Sequence, residues 1–196
     1  MKAREEIRAL ANKEIAQHSL RFFKTDKGEY GHGDLFLGVR APKIRLIAKK
    51  HIDISITDMK TLIQSKYHEE RFLGLIILVN KYAKTKDTKN RNQLYKIYVS
   101  SFKHINNWNL VDVTCPHVTG KHLIDKDRTI LYKWAKSEDL WTKRIAMIST
   151  FSFIRKNDLE DTFKIAEILL HDEHDLIHKA VGWMLREAGK RDIKKE

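Results

Sequence analysis

The chain has few of the residues that break helices or cross-link small folds through disulfides. Its 196 residues include one cysteine, two prolines and eight glycines. A single cysteine, Cys115, excludes an intrachain disulfide and a cysteine-based zinc site. The low proline and glycine content, together with the scarcity of alternating Val and Thr runs, favours helices over strands. We therefore predict an all-α protein.

Long apolar segments are also missing. The longest apolar run, residues 72–79, is far shorter than the roughly 20 residues of a membrane-spanning helix. The first six residues, Met1 to Glu6, contain no apolar signal region. We expect a cytoplasmic protein that makes no membrane contact and forms one domain over residues 1–196, because this is the usual length of a single domain. The simplest expectation for its assembly is a monomer.

Negative charge is in short supply. The chain has 38 Lys and Arg residues against 26 Asp and Glu residues, which gives a net charge of +12. This composition is typical of nucleic-acid binders. Because no single Lys/Arg tract dominates, an anionic membrane surface is an alternative partner, and we favour nucleic acid.

Apolar periodicity and cap residues predict helices along almost the whole chain. The predicted segments are 3–23, 42–51, 57–64, 68–84, 88–104, 107–123, 127–137, 139–155, 159–171 and 174–189. Four of these segments align so that Arg71, Asn109, Arg144 and Lys179 occupy equivalent places, at a period of about 35–38 residues. This period predicts an α-α solenoid with a concave binding face, and an irregular helical bundle is the alternative.

The segment 106–112 holds the most informative pair of side chains. Trp108 and Asp112 are four residues apart, which places them on one face of a helix. An indole face attracts cations, and a carboxylate stabilises a sugar cation that develops during glycosidic cleavage. The alternative is a core tryptophan beside a solvated aspartate.

Five sequence blocks together resemble a known family. They are residues 38–45, 68–71, 106–112, 141–144 and 179–187. In this order and spacing they resemble the DNA alkylation repair enzyme family, the AlkD-like DNA glycosylases, which are built from HEAT-like repeats. The resemblance covers nearly the whole chain and implies an α-α superhelix with a concave basic groove.

The resemblance also implies an activity and a set of site residues. It implies a monofunctional DNA glycosylase that hydrolyses the N-glycosidic bond of cationic N3- and N7-alkylated purines in duplex DNA, without base flipping and without a metal or organic cofactor. Asp112 matches the catalytic carboxylate, and Trp108 and Trp183 match the indoles that pack against the damaged nucleotide. Arg144 matches the arginine near the phosphate of the lesion.

The chemistry of such a substrate agrees with a single carboxylate. An N7-alkylated purine is already cationic, so it leaves without protonation by the general acid that ordinary glycoside hydrolysis requires. The remaining positive face would contact DNA phosphates. The candidate residues of this face are Arg40, Lys43, Arg45, Lys143, Lys179 and Arg186. For each of them the alternative is a position on a solvated outer helix face.

Other sites and functions compete with this interpretation. His171, His174 and His178 have a spacing that zinc could use, but a break at Asp172 argues against the site, and we predict no metal. Cys115 precedes His117 closely, yet a buried thiol on a helix kinked by Pro116 is favoured over a nucleophile.

Typical family members continue beyond the helix of Trp183 with a further helical segment. We expect this segment to be absent here, because the chain ends at Glu196, and the support of Trp183 to be weaker. A non-catalytic DNA-binding protein of the same architecture and a HEAT-like protein scaffold are the alternative functions.

Overall fold

The computed structural model describes residues 1–192, and these form helices joined by short turns. No strand occurs among them, and an isolated bridge between Leu35 and Tyr67 is the one extended pairing seen in this range. The all-α prediction is therefore confirmed. The chain divides into two compact units, Met1–Leu110 and Val111–Glu196, and each is described by itself.

The first unit is organised around one long buried helix. Helix α5 packs against α3, α4 and α6, and its side chains from Phe72 to Leu78 are buried. The predicted segment 68–84 is confirmed to the residue. The helices of this unit are α1 (Lys2–Ala9), α2 (Lys13–Phe22), α3 (Ala41–Lys50), α4 (Ile56–Ile63), α5 (His68–Lys84) and α6 (Thr88–Ser100), followed by a 3-10 turn (Phe102–His104) and by α7 (Trp108–Asp112), within which the unit boundary falls.

The predicted single helix over 3–23 is wrong, because the chain turns between α1 and α2. The side chain of Asn12 accepts a hydrogen bond from the Ile15 N–H at 2.9 Å and starts α2 as its N-cap. The start of α2 lies directly against Gly38, where a Cβ atom would clash with the Asn12 carbonyl and the Ala16 amide. Gly38 also has a φ of +79°, which favours glycine.

The second unit is centred on α10. Helix α10 packs against each of its neighbours from α8 to α13 and buries an unbroken run from Arg144 to Ser149. The elements of this unit are a 3-10 turn (Cys115–His117), α8 (Thr119–Leu123), α9 (Thr129–Ala135), α10 (Leu140–Ser149), α11 (Phe151–Ile154), α12 (Glu160–Ile168) and α13 (Asp175–Asp192).

The predicted continuous helix over 107–123 is also wrong. Pro116 lacks a backbone N–H and its ring obstructs the preceding turn, so the chain forms a 3-10 turn over Cys115–His117 instead of the expected kink. As a result α7 is a single short turn of helix, and Asp112 is its last residue. Of the helices that the structure describes, none has the length and apolar character needed to cross a bilayer.

Candidate active site

Helix α7 begins at Trp108 and ends at Asp112, so the predicted helical spacing of the two side chains is present in the structure. Trp108 belongs to the first unit and Asp112 to the second.

Arg144 holds the carboxylate of Asp112 through two parallel hydrogen bonds. Arg144 Nε donates to Asp112 Oδ1 at 2.9 Å, and Nη2 donates to Oδ2 at 2.8 Å. The Asp112 side chain is 17% exposed, while that of Arg144 is 6% exposed. A carboxylate has about four lone-pair positions, so each oxygen retains acceptor capacity on its open side. The pair is therefore an oriented carboxylate that a ligand can still reach.

Burial raises the pKa of Asp112 above its ordinary value, and the hydrogen bonds and charge of Arg144 oppose that rise. The ionised carboxylate is thus incompletely compensated by its surroundings. An electrostatic interaction is stronger in such a partly desolvated place than in water. A cation that develops beside Asp112 would be stabilised more than it would be beside a solvated aspartate.

Arg144 also connects Asp112 to α13. Its Nη1 donates to the main-chain carbonyl of Leu176, the second residue of that helix. Further along α13, the half-buried Trp183 ring packs against Phe151 with a centroid distance of 5.6 Å. One buried guanidinium therefore contacts both the carboxylate and the helix that carries the second candidate indole.

The arrangement of Arg144 differs from the phosphate-binding role that the family resemblance implies. All three of its guanidinium nitrogens donate within the second unit, and the residue is buried. A phosphate contact remains a prediction, whereas support of Asp112 is the role visible in the structure.

Trp108 lies in a cluster of aromatic rings in the first unit. Its ring centroid is 5.8 Å from that of Phe22, an edge contact, and 5.8 Å from that of Phe23. Phe22 is 53% exposed, and Trp108 is partly exposed. The cluster presents an aromatic surface to solvent, a surface that can stack on or pack against a nucleotide.

The predicted DNA-binding cations fall into two groups. Arg40, Lys43 and Arg45 are exposed at the start of α3 in the first unit, and Arg186 is exposed on α13 in the second. Lys143 and Lys179 carry ion pairs instead: Lys143 with Asp172, and Lys179 with Asp175 at 2.7 Å. Because a paired ammonium has already lost part of its attraction for anions, the exposed group is the better candidate for phosphate contact.

The residues of the two competing sites, the Cys115 thiol and the histidines near Asp172, have structural roles. Cys115 is fully buried, and burial followed by the nearby charge of Asp112 raises the pKa of its thiol well above the usual range, which disfavours a nucleophilic thiolate. Asp172 accepts a hydrogen bond from the His174 N–H at 2.9 Å, and His174 Nδ1 accepts one from the Leu176 N–H at 3.1 Å. These residues form the turn that starts α13, and no group of three or more His, Cys, Asp or Glu residues within 1–192 could hold a metal ion.

Sequence reasoning missed a buried polar cluster in the first unit. Asp34, in the loop before α3, pairs with Arg71 of α5 at 2.8 Å, and His68, Asn106 and Asn109 join them. The run His68 to Arg71 at the start of an otherwise apolar helix was the available signal, since consecutive buried ionisable residues require partners.

Comparison with known proteins identifies a family and a solved structure of the same fold. A family model described as DNA alkylation repair enzyme matches residues 3–196. A solved structure titled "Predicted DNA alkylation repair enzyme from Enterococcus faecalis" has the same fold, with a TM-score of 0.69 and 16% sequence identity over 93% of this chain and 84% of that chain. No curated protein matches the chain at a significant level.

Proposed function

Because the chain belongs to the DNA alkylation repair enzyme family and therefore has a role in DNA repair, we propose that it is a monofunctional DNA glycosylase. Its proposed substrates are cationic N3- and N7-alkylated purines in duplex DNA. The observation that carries the proposal is the Asp112 carboxylate, which Arg144 orients at 2.8 and 2.9 Å and which remains partly exposed. The net charge of +12 provides the attraction for DNA.

The proposed reaction breaks the bond between C1′ of the sugar and the purine nitrogen. The bonding electrons leave with the purine and neutralise its positive charge, while the deoxyribose becomes an oxocarbenium ion. Asp112 stabilises that cation and accepts a proton from the water that attacks C1′, so that the products are a neutral alkylpurine and an abasic site. No metal or organic cofactor takes part, because the substrate already carries the charge that makes the base a good leaving group.

In this proposal Arg144 is a positioning residue for Asp112. Two parallel hydrogen bonds fix both the distance and the plane of the carboxylate, which a single point charge would not do. The third donation, to the Leu176 carbonyl, ties this geometry to α13. A carboxylate fixed before the substrate binds does not need to reorganise during the reaction.

Trp108 and Trp183 are the proposed aromatic contacts to the damaged nucleotide. Each is partly exposed and each is supported by a neighbouring phenylalanine within its own unit: Phe23 beside Trp108 and Phe151 beside Trp183. Packing against the sugar and backbone would hold the lesion without extruding the base into a pocket, unlike enzymes that flip their target. We assign the phosphate contacts first to the exposed cations Arg40, Lys43, Arg45 and Arg186 and second to the paired Lys143 and Lys179.

The test is single-turnover release of 7-methylguanine from a duplex by the unmodified protein and by Asp112→Asn. We expect release by the unmodified protein and a loss on the order of 10²-fold or more in the variant, with DNA affinity little changed, because the carboxylate acts mainly in the transition state. Asp125→Asn, which neutralises an exposed carboxylate of the same unit, is the matched control and should keep the full rate. DNA binding without any release would favour a non-catalytic DNA-binding protein, and absence of salt-dependent DNA binding would favour a protein scaffold.

A further inference from the structure

The start of α5 buries four consecutive ionisable residues. His68, Glu69, Glu70 and Arg71 are each at most 4% exposed. An unpaired buried charge costs several kcal/mol, so the partners of these side chains show what each of them does. The four divide into two pairs with different partners.

Glu69 and Glu70 hold the framework of the first unit. The Glu69 carboxylate accepts backbone N–H bonds from residues 37–39 at 2.8 to 3.2 Å and fixes the loop before α3. Glu70 accepts hydrogen bonds from Arg4 at 3.0 Å and Arg8 at 2.6 Å and fixes α1. These hydrogen bonds give both glutamates a structural role, and none of them involves the segment around Trp108.

His68 and Arg71 instead bind the segment around Trp108. Arg71 Nη2 donates to Asn106 Oδ1 at 2.9 Å, and Asn109 Nδ2 donates to His68 Nε2 at 2.9 Å. Asp34 joins the two halves, because it accepts from Arg71 at 2.8 Å and from Asn106 Nδ2 at 2.9 Å. The side chains two residues before Trp108 and one residue after it are thus both held by α5.

Neutral His68 fits this arrangement. Burial lowers the pKa of His68, and the charge of Arg71 lowers it further, against the opposing hydrogen bond to Asp34. A carboxylate can only accept, so the proton resides on Nδ1, which donates to Asp34 at 3.3 Å. Nε2 then has a free lone pair for the Asn109 amide, and both ring nitrogens are satisfied.

An aromatic contact provides a third connection. The His68 ring lies 4.8 Å from the Phe23 ring, measured between centroids, and Phe23 lies 5.8 Å from Trp108. The Phe36 ring contacts both of these rings, with centroid distances of 4.9 Å to His68 and 5.3 Å to Phe23. Phe23 therefore connects the His68 ring to the Trp108 ring.

We propose that His68 and Arg71, acting through Asn109 and Asn106, are positioning residues that fix Trp108 before DNA binds. The inference rests on the proposed function, in which the Trp108 ring packs against the damaged nucleotide. An indole that is already fixed loses little rotamer freedom on binding and keeps the lesion in a reactive geometry, where small displacements lower the rate strongly.

The first test is a double-mutant cycle on Asn109. Asn109→Leu removes the amide that bonds to His68 while keeping the number and branching of the side-chain heavy atoms. We expect it to slow single-turnover release of 7-methylguanine about tenfold and to have no further effect in a Trp108→Ala background, because residues that act through one another are not additive. An equal loss in both backgrounds would overturn the proposal.

Arg4→Met is the control for a general loss of stability. It removes one of the two arginines on Glu70 in the same unit, without touching the residues around Trp108. We expect a lower melting temperature with an unchanged rate at temperatures where the protein is folded. A rate loss as large as that of Asn109→Leu would show that any weakening of this unit slows the reaction, and would overturn the specific role of His68 and Arg71.

A second measurement does not depend on catalysis. The four tryptophans can be labelled with 5-fluorotryptophan and observed by 19F NMR, with the Trp108 signal assigned by Trp108→Phe. Asn109→Leu should shift or broaden the Trp108 signal and leave the other three in place. An unmoved Trp108 signal would overturn the positioning role, whereas a moved signal in a protein that releases no alkylpurine would uphold it and refute the proposed glycosylase.

Discussion

Arg71 in the first unit and Arg144 in the second are buried arginines that each pair with an aspartate, and the two pairs differ in what else the aspartate binds. In the first unit Asp34 is 6% exposed and accepts hydrogen bonds from Arg71, Asn106 and His68. In the second unit Asp112 is 17% exposed, and Arg144 is its hydrogen-bond partner among the residues that the structure describes. The carboxylate of Asp34 therefore has its acceptor positions filled, whereas the carboxylate of Asp112 still has open ones.

The protonation of the two carboxylates follows this difference. Burial would raise the pKa of Asp34, but the hydrogen bonds from His68 and Asn106 and the charge of Arg71 lower it below its ordinary value. At Asp112 burial prevails over Arg144, and the pKa is raised. A saturated carboxylate stabilises the fold, whereas an open and incompletely compensated one is suited to stabilise a cation that comes from outside. The contrast indicates a structural role for Asp34 and supports the proposed role of Asp112 in the chemistry.

The largest expected effect is the loss of folding stability in Asp34→Asn. Asp34→Asn leaves the buried Arg71 without its counter-ion and should lower the free energy of unfolding by about 3–5 kcal/mol. Asp112→Asn should cost less, because the Asp112 side chain is 17% exposed against 6% for Asp34 and has fewer hydrogen-bond partners. Urea unfolding monitored by circular dichroism measures both, and equal losses would contradict the distinction between the pairs.

The pH dependence of this stability has a defined sign. Because the folded-state pKa of Asp34 is lowered, its contribution is present above the pKa of the unfolded chain and is lost as the pH falls through the folded pKa. Asp34→Asn should therefore flatten the acid side of the stability curve. Asp112→Asn should not, since a raised pKa makes the opposite contribution.

The next effect concerns Arg144 and the rate. Arg144→Met should slow release of 7-methylguanine about 10-fold to 100-fold, because the Asp112 carboxylate loses its fixed orientation. Arg144→Lys should recover only part of the rate, since an ammonium cannot form two parallel hydrogen bonds. Full activity in Arg144→Met, measured on folded protein, would remove Arg144 from the site.

A smaller effect is expected in the pH–rate profile. Asp112 must be ionised to stabilise a cation, so the rate should fall at acid pH with a midpoint above the ordinary pKa of an aspartate, because burial raises the pKa of Asp112. Arg144→Met should move this midpoint to higher pH, because Arg144 lowers the pKa of Asp112. The measurement is enzymatic release corrected for spontaneous depurination, and a midpoint that stays in place would show that Arg144 does not act on the ionisation of Asp112.

The smallest expected effect is on the salt dependence of DNA binding, where an exposed arginine and a buried one should differ. Arg186→Ala should reduce the slope of log affinity against log salt concentration by about one, as expected for the loss of one phosphate contact. Arg144→Met should leave the slope unchanged, because its guanidinium is buried and donates within the protein. A reduced slope for Arg144→Met would instead support the phosphate contact that the family resemblance implies.

The sequence was informative where local rules decide the structure. The apolar run with its flanking residues predicted α5 to the residue, and the four-residue spacing placed Trp108 and Asp112 on one helix. The sequence-based prediction failed where a cap residue or a proline interrupts a pattern of helical periodicity. The cap at Asn12 interrupts an otherwise periodic helix, and Pro116 ends α7 where a kink was expected.

Pairing between distant residues was beyond the reach of sequence reasoning. Asp34 lies in a loop and Arg71 in a helix 37 positions later, and no local pattern connects them. Lys143 was grouped with the DNA-binding cations because of its charge, yet a partner 29 positions away, Asp172, binds its ammonium. Whether a charge is exposed or already paired depends on tertiary contacts, and only the structure separates these two groups.

The most direct test of the contrast between the two pairs is single-turnover release of 7-methylguanine by Asp34→Asn and by Asp112→Asn, each at a temperature where the variant is folded. Asp34→Asn should slow release by no more than about tenfold, because it weakens the network that positions Trp108 but leaves the carboxylate of Asp112 in place, while Asp112→Asn should lose on the order of 10²-fold or more. Equal rates in the two variants, or a greater loss for Asp34→Asn, would contradict the assignment of the chemistry to Asp112.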